Sequence, residues 1–305
     1  MPDVSPQSTA GVVVLYHPNP AGLNRLLKSL EGQLSKLYVV DNTPYEGDET
    51  AQLPEGGMLS YTRLGRNEGL AAAQNVGLRL ALNEQFTHVL LLDQDSELAP
   101  ATVAGLLAAE RGLLDSGHRV AAVGAMYIDI KTNIPAAAHR YRPFRFQKVR
   151  VPPGSAPIES DWLIASGSLI RCEVLREVGL MREELFIDVV DTEWGLRARS
   201  MGFVSFLVPA VTMVHSIGDD TAELFGRKLM LHNDIRSCYM IRNNAYLLRE
   251  PAMGWLWRSN APLNLLSSLI TSSMFAEHRF RRARLLVRAL MLGLRGKAGV
   301  LSQPQ

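Results

Sequence analysis

The sequence predicts an α/β protein built on a doubly wound, parallel sheet. Two observations carry that prediction. Short apolar runs without polar alternation recur along the chain, as in strands buried on both faces. Stretches with helical apolar spacing lie between them, giving the strand–helix rhythm of such sheets.

The elements follow in order. Gly11–Tyr16 (GVVVLY) is a β-branched apolar run and reads as a buried strand, broken by His17-Pro18-Asn19-Pro20. Leu23, Leu26, Leu27 and Leu30 then recur at helical spacing. Leu37–Val40 is a second strand ending at Asp41-Asn42, and Leu59–Leu64 a third. Asn67–Asn83, rich in Ala and Leu, predicts a helix. His88–Leu92 is another strand, ending at Asp93-Gln94-Asp95, and Pro100 opens the next helix. Val120–Tyr127 is strand-like, and residues 131–157, rich in Pro, Ala and Arg, predict a long loop or hairpin excursion. A short helix to Gly179 follows Ile164–Ile170; Phe186–Met201 reads as a helix, and Phe203–Val208 and Thr212–His215 as strands. From Ala222 onward the chain reads as largely helical.

Composition narrows the function. The 305 residues are 47% hydrophobic and 20% charged, an ordinary globular balance. A net charge of +2 gives no reason to expect nucleic acid as a partner. The two cysteines, Cys172 and Cys238, form no metal or redox motif, and a reducing cytoplasm is the simpler expectation. Basic residues do crowd the C-terminus. Arg279, Arg281, Arg282, Arg284, Arg288, Arg295 and Lys297 interleave with leucines, as in a basic amphipathic helix. Such a segment can lie on an anionic membrane surface or pack on the main domain as a helical hairpin. No run of about 18 apolar residues predicts a membrane span.

In doubly wound sheets ligands bind at the carboxyl ends of the strands. Asp41, Asn42, Asp93 and Asp95 therefore share one rim. In an extended segment residues i and i+2 point the same way. Asp93 and Asp95 would then repel each other unless a cation or donors neutralise them. Oxygen ligands of this kind suit Mg²⁺ or Mn²⁺. An isolated D-x-D is more often a strand-end turn capping the next helix.

Here it is not isolated. Val13-Val-Leu-Tyr-His-Pro18, Val39-Val-Asp-Asn-Thr43, Arg66-Asn-Glu-Gly-Leu-Ala-Ala-Ala-Gln-Asn-Val-Gly77 and Leu90-Leu-Leu-Asp-Gln-Asp-Ser96 follow one another in order. They resemble a family-two inverting glycosyltransferase of the GT-A fold. Phe186-Ile-Asp-Val-Val-Asp-Thr-Glu-Trp-Gly-Leu-Arg197, His215-Ser-Ile-Gly-Asp219 and Tyr239-Met-Ile-Arg-Asn-Asn244 resemble the bacterial rhamnosyltransferase branch. The resemblance runs from about residue 11 to about 250.

It implies a GT-A-type doubly wound mixed sheet, with a Rossmann-like nucleotide-binding half, an acceptor half and a helical C-terminal segment. Residues 1–250 would form the catalytic domain and 251–305 a basic amphipathic helical segment. It implies a nucleotide-sugar donor, dTDP-L-rhamnose first, and a cell-surface glycan or lipid-linked acceptor. Asp41 would contact the nucleobase, with Asn67 and Gly69 beside the nucleoside; Asn67 could equally be a helix N-cap. Asp93 would lie near the ribose, and Asp95, with His215, would hold Mg²⁺ or Mn²⁺. Arg242 would reach the diphosphate, a surface ion pair being the duller alternative. Asp191 would be the base, with Asp188 and Glu193 as support or acceptor contacts; Asp188 and Asp191 would share a helix face. Trp194 would stack on a sugar or sit in the core. The Asp-Gln-Asp and Asp-Thr-Glu variants fit both the rhamnosyltransferase branch and its galactofuranosyltransferase neighbours. A UDP-sugar hexosyl- or galactofuranosyltransferase, or a non-catalytic nucleotide-sugar-binding subunit, therefore stay open.

Overall fold

The computed structural model describes residues 8–44, 58–129, 134–215, 221–224, 227–230, 234–274 and 279–301. The side chain of His215 and the motif residues 216–219 lie outside the described residues.

The first half alternates strand and helix: β1 (Thr9–Leu15), α1 (Pro20–Leu30), β2 (Lys36–Asp41), β3 (Leu59–Arg63), α2 (Leu70–Asn83), β4 (His88–Asp93), the short β5 (Glu97–Leu98), α3 (Thr102–Asp115) and β6 (Val120–Asp129). The Pro-rich break after β1 is used directly. Asn19 caps α1 by accepting a hydrogen bond from the amide of Ala21, and Pro20 supplies the pre-set φ of a first turn. The excursion after β6 contains a hairpin, β7 (Ala138–Arg142) and β8 (Arg145–Val149), then β9 (Ile158–Ser160). It is followed by β10 (Ser168–Arg171), α4 (Cys172–Val178), α5 (Val190–Ser200) and β11 (Val204–His215). Predicted as two strands, 203–208 and 212–215 form this single strand, with a shift of register between Val208 and Thr212.

The strand order is β3-β2-β1-β4-β10-β6-β11-β5, with β9 also paired to β11. β3, β2, β1 and β4 run parallel, which is the Rossmann-like half. β10 runs antiparallel between β4 and β6, so the sheet is mixed. The reason is positional: the excursion ends at the rim reached by the carboxyl end of β6, so the returning chain must enter the sheet backwards. Of the predicted 164–170 run only 168–170 is strand, and β10 continues to Arg171.

Adjacent residues of the parallel strands feed opposite cores. Val12 and Leu91 pack under α2, α4 and α5, whereas Val13 and Leu90 pack against α1 and α3. That two-sided burial is why the strands read as unbroken apolar runs.

After β11 the helical expectation is corrected. A hairpin, β12 (Thr221–Leu224) and β13 (Arg227–Met230), comes first; its alternating strand residues are too few for sequence periodicity to register. Helices α6 (Asp234–Leu247), α7 (Gly254–Met274) and α8 (Arg279–Leu294) follow. α8 turns Leu286, Ala289 and Gly293 onto α6, beside Cys238, Ile241 and Ala245, with Leu265 of α7. At Gly293 an added Cβ would lie 2.2 Å from the Arg242 carbonyl oxygen, so the helices touch backbone to backbone. Outward, Leu263, Leu266 and Ile270 of α7 and Phe280, Val287 and Met291 of α8 stay exposed. Among the described residues no helix is long and apolar enough to cross a membrane. Cys172 and Cys238 are both free and buried.

Candidate active site

A cleft of about 740 Å³ opens along the carboxyl ends of the strands, a size suited to a small-molecule ligand. Its walls are built differently.

The first wall comes from the ends of β1, β2 and β4 and the start of α2. Tyr16, Asn42, Asn67, Gly69, Asp93 and Asp95 line it. The Gln94 amide oxygen accepts from the Tyr16 amide at 2.8 Å, and its nitrogen donates to the Tyr16 carbonyl at 3.1 Å. The middle residue of Asp-Gln-Asp thus ties the loop after β1 to the acidic turn, while Asp93 and Asp95 both face the cleft. Ser166, from the neck before β10, donates no side chain to the cleft; its hydroxyl accepts from the Asp93 amide at 3.3 Å and pairs with Ser96. Asn42 donates to Asn67 Oδ1 at 3.0 Å and accepts from the Glu68 amide at 2.8 Å. Asn67 Oδ1 also accepts from the Gly69 amide at 2.9 Å. The N-cap of α2 is Gly69, without a side-chain hydrogen bond, so Asn67 closes a turn ahead of the helix and stays on the wall.

Asp41 is placed otherwise than expected. It is only 4% exposed and does not line the cleft, and its carboxylate accepts from the Thr43 amide at 2.9 Å and the Tyr61 hydroxyl at 2.7 Å. As the last residue of β2 it turns its side chain towards β3.

The opposite wall carries Phe186 to Asp191, with Arg236 from α6. The helical expectation for 186–189 fails here. Phe186, Asp188 and Val189 have φ of 66°, 62° and 65°. This left-handed region costs non-glycine residues roughly 1–3 kcal/mol each, and a β-branched residue is rare there. The helix begins only at Val190, so Asp188 precedes it rather than sharing a face with Asp191. Asp188 accepts from Nε of Arg236 at 3.0 Å. Phe186 reaches the first wall: an added Cβ on Gly69 would lie 2.6 Å from Phe186 Cδ2, and Gly69 itself has φ +89°. Glycine is required there twice, for space and for conformation.

Asp191 stands in the first turn of α5, where the helix dipole favours a carboxylate. Burial outweighs that and pushes its pKa up to about 7; the Thr192 amide opposes the rise, and the negative charges of Asp188 and Asp93 add to it. A carboxyl group near neutrality is suited to take or give a proton.

Glu193 is not on the cleft. It is 1% exposed, and its two oxygens accept from Nε and Nη2 of Arg197 at 2.9 and 3.0 Å, with Arg182 also near. It supports α5, one of the two roles the sequence allowed. Trp194 lies at the cleft floor but is 4% exposed and donates through Nε1 to the Gly179 carbonyl at 2.9 Å, so it serves mainly the core. Arg242 is a correction. It is 1% exposed, and its guanidinium donates to the side chain of Asn243 at 2.7 Å and the Gly299 carbonyl at 2.8 Å. The intact arginine is a buried tether, turned away by the helical phase of α6, and the cleft-facing arginine of that helix is Arg236.

A third side comes from the excursion. His139 stacks on Trp162 with centroids 4.0 Å apart and planes 7° apart, and stacks on Phe146 at 5.7 Å. Burial, with Lys148 nearby, lowers the His139 pKa to about 4, so this imidazole is neutral at pH 7. His139 and Lys148 are cross-strand partners of the β7–β8 hairpin, and both line the cleft. Sequence reading missed His139, Lys148, Trp162, Arg236, Tyr16 and Gln94. For Asn42 the sequence gives a place on the rim but no role. A strict period-two reading of 138–149 would have put His139 and Tyr141 on one face; no local signal marks Arg236.

For a divalent cation, Asp93 and Asp95 are the described carboxylates of the first wall. Among the described residues no group of three or more His, Cys, Asp or Glu side chains is poised to hold a metal. A pair of carboxylates on one wall fits a cation such as Mg²⁺, which takes one or two carboxylates and completes its shell with phosphate and water.

Fold and cleft together define a nucleotide-binding transferase: a Rossmann-like half-sheet, an acidic turn at its rim, and a carboxyl group of raised pKa facing it. The comparisons make this specific. The model of "Glycosyl transferase family 2" matches residues 12–179. A dTDP-rhamnosyl transferase, RfbF, of Shigella flexneri is 35% identical over 243 residues, covering 78% of this chain and 79% of that protein. The chain belongs to glycosyl transferase family 2. Among solved structures, S. aureus TarS superposes with a TM-score of 0.59 at 16% identity, covering 94% of this chain and 49% of that one. Residues 1–349 of TarS in complex with UDP-GlcNAc give 0.58 at 15% identity, covering 94% and 81%. GalNAc-T7 with UDP, GalNAc and Mn²⁺ gives 0.55 at 18% identity, covering 72% and 44%. The chain thus spans less than half the length of TarS and of GalNAc-T7. These likenesses establish the GT-A fold.

Proposed function

We propose that the protein transfers L-rhamnose from dTDP-L-rhamnose, with inversion, to a hydroxyl of a cell-surface glycan or lipid-linked acceptor. The observation that carries the mechanism is Asp191, a carboxyl group raised to about 7 and facing the Asp93–Asp95 wall across one cleft. The rhamnosyl transferase relative supports the choice of sugar.

The nucleoside lies along Asn42, Asn67 and Gly69, with Asp93 beside the ribose. Asp191 accepts the proton of the acceptor hydroxyl. The oxygen forms its bond to the anomeric carbon from the face opposite the diphosphate, and the bond from that carbon to the phosphate oxygen breaks, releasing dTDP. A β-linked donor yields an α-rhamnoside. Asp95, with His215, would hold Mg²⁺ or Mn²⁺, which when bound stabilises the charge developing on the leaving diphosphate. Arg236 holds Asp188 beside the base, and His139 with Trp162 offers an aromatic, uncharged side to the acceptor.

Residues 1–250 carry the chemistry, and in the segment from 251 onward helices α7 and α8 are fastened to α6. Between 251 and 301 the chain has eight basic residues against one acidic, Glu277. With the exposed apolar faces of α7 and α8, this suits a peripheral position on an anionic bilayer surface. Phe280→Ser with Leu266→Ser should weaken pelleting with anionic vesicles at unchanged Tm. Equal pelleting of parent and variant would remove the membrane reading.

The donor is tested by thermal shift with a panel of nucleotide sugars, with and without Mn²⁺. A ligand that binds only the folded state raises Tm. A metal-dependent rise with dTDP-rhamnose and little with UDP-sugars is expected. A rise with UDP-sugars alone would replace the sugar, and no response at all would remove the donor site.

A further inference from the structure

The turn from Phe186 to Val189 sets where Asp191 stands, and it holds three left-handed residues with no glycine among them. Such a turn persists only when its surroundings over-determine it. Those surroundings come from α6 and the C-terminal tail. Asn243 is 0% exposed, and its amide nitrogen donates to the carbonyls of Leu185, Ile187 and Asp188 at 2.9, 2.8 and 3.0 Å. Its orientation is fixed by chemistry. Arg242 Nε sits 2.7 Å from the other end of the amide and can only donate, so that end must be the oxygen. Arg242 is held in turn by the Gly299 carbonyl, at 2.8 Å, while the Gly299 amide donates to the Glu184 carbonyl at 2.7 Å. Phe186 stacks on Tyr239 with centroids 4.7 Å apart, and the Tyr239 hydroxyl accepts from the Leu301 amide at 2.9 Å.

We propose that Asn243, oriented by Arg242 and the turn at Gly299, is the positioning residue of the base. The C-terminal tail thereby becomes part of the catalytic apparatus although it stands outside the cleft. The proposal rests on the reading of Asp191 as the base.

Two full-length variants test it. Asn243→Asp keeps volume and the acceptor for Arg242 but sets an oxygen against three carbonyls. Gly299→Pro, at a position with φ +90°, leaves Asn243 untouched and removes the amide that holds Glu184. In both, kcat should fall, on the order of 10²-fold for Asn243→Asp, as small displacements of a reacting group do. Donor affinity should stay within about 2-fold, because the loss is confined to the transition state. Amide exchange across 186–191 should quicken while α2 is unchanged. Parental kcat in a folded Gly299→Pro, or unchanged exchange across 186–191, would overturn the proposal, as would a kcat loss matched by lost donor affinity. Asp191→Asn in the same assay separates the two readings. Normal turnover there would sink the base and this proposal with it; an inactive Asp191→Asn beside a fully active Asn243→Asp would sink this proposal alone.

Discussion

The two walls of the cleft solve the same problem with opposite means. The donor wall is a by-product of regular structure: strands β1, β2 and β4 end, and whatever follows them lands on the rim. Its polar groups, such as Asn42 and Asn67, satisfy one another locally. The base wall is irregular: a turn of left-handed residues, held by side chains from a helix that follows it by some fifty residues. A regular scaffold places groups cheaply but only where strands end; an irregular one places a carboxylate anywhere, provided distant side chains hold it.

The largest effect that contrast predicts is at Asp191. Asp191→Asn should lower turnover by a factor on the order of 10²–10⁴, with dTDP binding on the other wall unchanged in titration calorimetry. Weakened dTDP binding would mean that the walls are not separable. In the parent enzyme the base must be ionised, so kcat should rise with pH through about 7. Stability runs the other way. The folded group binds its proton more tightly than the unfolded one, so its contribution declines as pH rises from the ordinary Asp value, 3.8, through about 7. Asp191→Asn should therefore raise Tm more at pH 8 than at pH 4, and melting curves at both pH values check the sign.

Next in size is Gly69→Ala, which strikes the point where the walls touch. Strain and overpacking should cost roughly 1–3 kcal/mol of stability, and donor affinity and kcat should fall together. A fall in one alone would show the contact to be incidental. Gln94→Ala should act on the donor wall only, raising the donor KM several-fold, about 1 kcal/mol for lost pairing with Tyr16, at nearly constant kcat. Smallest is Tyr61→Phe, which removes a hydrogen bond to Asp41 behind the wall. Denaturant melts should register about 0.5–1.5 kcal/mol, with kcat unaltered.

How much of this is legible in the sequence follows the same division. GVVVLY, LYVV and HVLLL announce their strands because two-sided burial leaves them no polar face, and Asp93-Gln94-Asp95 at a strand end announces the rim. Asp191 is reachable through its acidic neighbourhood and family pattern. What is not legible depends on chain phase or on distance. Arg236 and Arg242 share one helix and differ only in which face each occupies, so the motif points to Arg242 while the fold brings Arg236 to the cleft. Glu193 is two residues from Asp191, and the first turn of α5 sends it to Arg197 instead. The left-handed residues between 186 and 189 leave little trace, because Phe and Val do not favour that region and a single Asp does not mark it. The β12–β13 hairpin escapes because strands of four residues carry little periodicity.

The contact of Gly69 with Phe186 also has a consequence for sequence drift. With no side chain at 69, the aromatic edge at 186 sets the spacing between sugar-nucleotide wall and base. A smaller residue at 186 would not open position 69, because the backbone carbonyl oxygen of residue 186 also lies 2.7 Å from an added Cβ and the φ of +89° remains. Two positions 117 apart in the chain are thus tied through backbone as well as side chain, and glycine is the fixed member of the pair.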